Sequence, residues 1–171
     1  MDSRSENEEK QLVECLDDKL KPYDFKKISL DPFLDPLMIL AIWRLRSWNA
    51  NRAVVAVSLP TLKSHPGKYA QMFKIPLGRI LGYVPFFYPL RLEIILLGNP
   101  VGAQKKKKPD ALEKFIDQNE QQGVILQSIN VVDLTTMKSV SARAGNQKVI
   151  GRFQDAIEVG ITTFLNNIQT V

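Results

Sequence analysis

The sequence predicts an α/β protein in which a mixed sheet of roughly five strands is covered by helices, with an α+β sandwich as the alternative arrangement. Three observations lead there: two pairs of apolar runs that read as hairpins, two strand-helix-strand crossovers spanning residues 52 to 134, and a C-terminal segment with apolar residues at helical spacing. Crossovers of that length set parallel strands side by side, and hairpins add antiparallel ones.

The first helix is expected over Glu6–Lys19, where Leu12, Val13, Leu16 and Leu20 share a face and acids gather near the start, as the helix dipole favours. Lys21-Pro22 ends it. Asp31 and Asp35 each precede a proline, which excludes α-helix at both and reads as paired turns. Leu37–Leu45 and Arg52–Leu59 are apolar runs separated by a polar RSWNAN, the pattern of a hairpin; the second run is apolar at nearly every residue, as in a strand covered on both faces.

Thr61–Lys74 reads as a helix entered at Pro66, with Tyr69, Met72 and Phe73 as its apolar stripe and Pro76 as its interruption. The strand Leu90–Leu97 follows, then a helix over Asp110–Gln121 with Leu112, Phe115 and Ile116 inward and Gly123 as a left-handed stop. A second hairpin is expected from Val124–Leu134 and Met137–Arg143, turning through Thr135 and Thr136. The last helix carries the strongest periodicity in the chain: Ile150, Phe153, Ile157, Ile161, Phe164 and Ile168 recur every three or four residues.

With 171 residues, 44% of them hydrophobic and 24% charged, the chain can bury one substantial core, so a single domain over 1–171 is expected, residues 1–5 forming a disordered tail. Cys15 is the one cysteine and His65 the one histidine, which excludes an intrachain disulfide, a cysteine zinc site and a histidine-rich metal site. The N-terminus is polar and acidic, and no apolar run reaches the ~18–20 residues of a membrane span, so a soluble, cytoplasmic protein is expected. The net charge of +5 is uneven: residues 1–25 hold eight acids against four bases, a net of −4, which leaves +9 on the rest.

Two basic groups qualify as anion-binding candidates. Lys105, Lys106, Lys107 and Lys108 follow a strand at the edge where open α/β sheets hold ligands. Three residues rather than four separate Gly98 from Gly102, and no Ser or Thr follows the lysines, so the nucleoside-triphosphate motif fails and a solvated basic loop is the simpler account. Arg143, Lys148 and Arg152 surround the start of the last helix, where free backbone N–H groups can hold a phosphate or carboxylate; Gly145 or Asn146 capping an ordinary helix also explains the pattern. A metal-dependent nuclease would need an acid and a lysine two residues apart on a strand, and Glu93 is followed at that interval by Ile95, leaving only a degenerate nuclease-like fold or an unrecognised small-molecule enzyme. Arg91 and Glu93 share a strand face and read as a surface or interface ion pair, and His65-Pro66 reads as a helix-start turn.

The aromatic residues supply the protein-binding candidates. Tyr83, Phe86, Phe87 and Tyr88 lie in YVPFFYP, where Pro85 and Pro89 oppose regular structure, and Trp48 sits in the polar hairpin loop. The leading expectation is therefore a non-enzymatic interaction or accessory module, needing no cofactor, that binds a protein partner or a second copy of itself. Nucleic-acid or polyanion binding by the two basic groups is the competing expectation.

Overall fold

The computed structural model describes residues 3–29, 38–47, 50–62, 65–81, 89–100, 112–116, 123–144 and 151–170. Along the chain these form α1 (Ser3–Leu20), β1 (Lys26–Ile28), β2 (Ile39–Ser47), β3 (Ala50–Leu62), α2 (Pro66–Ile80), β4 (Leu90–Pro100), β5 (Val124–Asp133), β6 (Lys138–Arg143) and α3 (Gly151–Gln169). The six strands make one mixed sheet in sequence order. β1, β2 and β3 run antiparallel, β3, β4 and β5 run parallel, and β6 returns antiparallel to β5.

The sheet exceeds the expected five strands because of β1, three residues long and paired with Ile42–Arg44 of β2. Lys26 and Lys27 leave no apolar run to read there, yet at a sheet edge two exposed lysines suit the position by discouraging pairing with another chain. The central strands are covered on both faces, which explains why β3, β4 and β5 read as nearly continuous apolar runs.

Each face has its own core. On one, α2 supplies Ala70, Phe73 and Leu77, joined by Leu81 just past its end, against Val55, Val57, Leu92, Ile94, Leu96 and Leu126. On the other, Leu12, Leu16 and Leu20 of α1 and Phe153, Ile157, Ile161 and Phe164 of α3 cover Trp43, Val54, Ala56, Ile95, Leu97 and Val132. The predicted periodicity of α3 is thus the stripe it buries.

Helix α2 departs from the sequence reading in extent and in facing. It begins at Pro66, and His65 Nδ1 accepts from the Gly67 N–H at 3.2 Å, so the expected helix-start turn is present. It then continues through Pro76 to Ile80 rather than stopping. The continuation brings Leu77 under the helix in line with Ala70 and Phe73, and that longer line decides which face turns inward. Met72, one residue from Phe73 and so about 100° around the axis, turns out to solvent and is not part of the buried stripe.

Between β4 and β5 the helix expected over 110–121 is corrected where the chain is described: Glu113–Phe115 is a single 3-10 turn that ends at Ile116, whose backbone is extended (ψ 129°), with Leu112 and Ile116 buried beside it; residues 110–111 and 117–121 lie outside the described residues. Gly123 has the left-handed φ of 69° expected of a stop, and its carbonyl accepts from the Leu90 N–H. The β5–β6 turn is made by Asp133, whose Oδ1 accepts from the backbone N–H groups of Thr135 and Thr136 at 2.8 and 3.2 Å. That side chain supplies the turn signal the two threonines lack.

Candidate functional site

A charged cluster lies on the α1/α3 face, near the N-terminal ends of the parallel strands. Glu93 of β4 is fully buried, Ser128 of β5 is its partner in the ladder, and Arg143 of β6 pairs in turn with Ser128. This alignment depends on a bulge. Leu92 pairs with Leu126 and Glu93 with Ser128, so Gln127 is an extra residue that shifts the serine into line with the carboxylate.

Every described bond to Glu93 comes from a donor. The Ser128 hydroxyl donates to Oε2, and the Gln154 amide of α3 donates to Oε1 and Oε2 at 3.2 and 3.3 Å. Asn130 donates to the Ser128 oxygen at 3.4 Å, extending the chain along β5. Burial pushes the Glu93 carboxyl above its ordinary range, against the opposing pull of Ser128, Gln154 and the charges of Arg52 and Arg143. The surface setting expected for Glu93 beside Arg91 is therefore corrected: Glu93 lies in the interior, and among the described residues its hydrogen bonds come from β5 and α3.

Arg52 of β3 sits beside this cluster, its guanidinium 5.0 Å from the Phe153 ring centroid. Its Nη1 is buried without a hydrogen-bond partner, and burial, followed by the neighbouring Arg91 charge, lowers its affinity for its proton. Phe153 also packs on Phe25 with ring centroids 5.4 Å apart. The first turn of α3 is thereby held by Phe153 and Gln154, and its next turn by Arg143, which bridges Asp155 at 3.0 Å and Glu158 at 2.5 Å.

Chemically this is a closed network. A carboxylate with no solvent exposure, held by side-chain donors on two elements, has no open side for a reacting group. Ile95, where a nuclease would carry its lysine, is buried in the α1/α3 core, and among the described residues no three metal-ligating side chains converge. Ser128, Gln154 and Arg52 carry no motif that marks them in the sequence, although a glutamate inside the apolar run LRLEIILLG is itself a sign that donors converge on it.

Of the sequence candidates, Arg143 is occupied by two carboxylates and Arg152 is exposed in the first turn of α3. Lys105, Lys106, Lys107, Lys108 and Lys148 lie outside the described residues, as do Trp48, Tyr83, Phe86, Phe87, Tyr88, Asp31 and Asp35. Trp43 is core, its indole N–H donating to Asp17 Oδ1 of α1 at 2.8 Å.

The outward face of α2 is a second feature, and it concerns surface rather than chemistry. Lys68, Met72, Ile75 and Arg79 are all exposed, Met72 by 67% and Ile75 by 62%. At 100° per residue the four fall within a wedge of about 60°, a line about 16 Å long with apolar residues in the middle and cations at both ends. Pro76 has no N–H to give the Met72 carbonyl, so the helix lacks one internal bond beside the apolar pair.

Fold and site together define a mixed α/β sheet protein with a sealed polar network and an exposed amphipathic helix face. The chain matches no protein-family model, and no curated protein or solved structure is significantly similar to it.

Proposed function

We propose that this protein is a non-enzymatic interaction module that binds another protein through the outer face of α2. The observation that carries this reading is the adjacent exposed pair Met72 and Ile75, on a helix whose other face is firmly seated by Ala70, Phe73 and Leu77. Apolar side chains held in water on a rigid element present a preformed contact at little ordering cost. The sealed state of Glu93 supports a structural rather than catalytic part for this interior charged cluster. Arg143, occupied by Asp155 and Glu158, weakens the polyanion alternative at that end of α3.

The test is photo-crosslinking in the source cells, with a photoreactive amino acid replacing Met72 in the full chain and, as a control, replacing the exposed Thr162 of α3. One discrete protein adduct at position 72, lost on Ile75→Glu and missing at position 162, is the expected result. Identical patterns at the two positions, or no adduct at 72, would refute the reading.

A further inference from the structure

We infer that the partner of the α2 face is an acidic amphipathic helix of a different protein, an inference that rests on the interaction reading above. Lys68 and Arg79 stand at the two ends of the line and Met72 and Ile75 at its centre. The complement is a helix that carries two apolar residues three or four apart, with an acid about one turn beyond each. Glu113 and Lys114, exposed on the 3-10 turn packed against α2, carry opposite charges and leave the line net positive.

Among the described residues, neither α2 nor α1 of a second copy supplies that complement. Two α2 helices laid antiparallel set Lys68 against Arg79 of the other copy, and laid parallel they set each cation against its own kind. Repulsion opposes both arrangements. The outer face of α1 is acidic through Glu6, Glu14 and Asp18, but among its described residues no large apolar side chain is exposed. A nucleic acid fits no better, because Met72 and Ile75 offer a phosphate backbone neither charge nor donor.

The test uses purified full chain and fluorescein-labelled 15-residue helical peptides. Each peptide has two central leucines three residues apart, flanked four residues out on both sides by glutamate in one version and by lysine in the other. The glutamate version should bind about tenfold more tightly than the lysine version, the size expected when two exposed ion pairs turn from attractive to repulsive. Lys68→Glu with Arg79→Glu should reverse the order, and Met72→Ser with Ile75→Ser should abolish binding of both while the thermal midpoint holds.

Absence of binding, equal binding of the two peptides, or a preference that survives the double charge reversal would overturn the inference. So would displacement of the glutamate peptide by a single-stranded or duplex oligonucleotide at physiological salt. The position-72 crosslink separates the two levels: an adduct that persists at full yield in the charge-reversed chain removes the acidic partner and leaves the interaction module standing. Loss of the adduct in the unaltered chain removes both.

Discussion

Glu93 on β4 and Gln154 on α3, 61 residues apart in sequence, are joined by hydrogen bonds from the Gln154 amide to both carboxylate oxygens at 3.2 and 3.3 Å. This contact ties the first turn of α3 to the centre of the sheet. It also makes the packing of that helix depend on the ionisation of a fully buried acid.

The Glu93 carboxyl is raised above its ordinary range, first by burial, so the folded protein holds that proton more tightly than the unfolded chain does. Its contribution to stability is in full force below the ordinary carboxylate pKa and is lost as pH rises through the raised value. Glu93→Gln keeps an acceptor for Gln154 and a polar contact with Ser128 without the charge. In urea melts across pH 4 to 8 the variant should lose part of the alkaline decline, and at pH 8 its thermal midpoint should exceed that of the unaltered chain by about 2–4 °C. A Gln variant that declines as steeply as the parent would remove this role.

Asp17 and Trp43 give a second test. Trp43 is fully buried apart from the bond its indole N–H makes to Asp17 Oδ1. Asp17→Ala should cost about 1–2 kcal/mol, because the indole donor is left in an apolar setting. Chemical denaturation measures it, and an unchanged midpoint would show that solvent replaces the carboxylate.

Arg143 should matter less than its two ion pairs suggest. Asp155 and Glu158 are well exposed, with side-chain accessibilities of 66% and 44%, so solvent screens both bridges. Arg143→Ala should lower stability by less than about 1 kcal/mol, and the difference should shrink in high salt. A larger, salt-independent loss would mean that the arginine acts chiefly through the interior charge of Glu93.

Gly98 should tolerate no side chain. A Cβ there would overlap the backbone carbonyl oxygen of Leu59 on β3, beside the register shift between Leu59 and Thr61, and a backbone atom within a ladder has little room to yield. Gly98→Ala should cost about 3 kcal/mol or more, seen as a lowered midpoint or loss of soluble protein. A variant of parental stability would show that the two strands can separate locally.

Pro76 removes one helical hydrogen bond from the Met72 carbonyl, yet α2 continues past it. Pro76→Ala should extend the helical bonding and raise stability by about 1 kcal/mol, reduced by the greater freedom that alanine gives the unfolded chain. Helical circular dichroism and the thermal midpoint both test this, and a fall in either would mean that the proline ring itself packs productively.

The α/β class, both hairpins, the two parallel crossovers and the buried stripe of α3 are legible in the chain alone, because each follows from local periodicity or from runs bounded by turn residues. Phe153, Ile157, Ile161 and Phe164 needed no partner to be recognised, since their spacing alone defines a face. Tertiary structure decided what depends on neighbours distant in sequence. β1 exists only because Lys26–Ile28 meets Ile42–Arg44, and Met72 faces solvent because Leu77, beyond Pro76, pulls the opposite side of α2 onto the sheet. Glu93 is interior rather than superficial because a bulge at Gln127 brings Ser128 level with it and α3 carries Gln154 across. Periodicity records which side of an element is apolar, whereas the donors that make a buried carboxylate tolerable come from separate elements and are matched only when those elements pack.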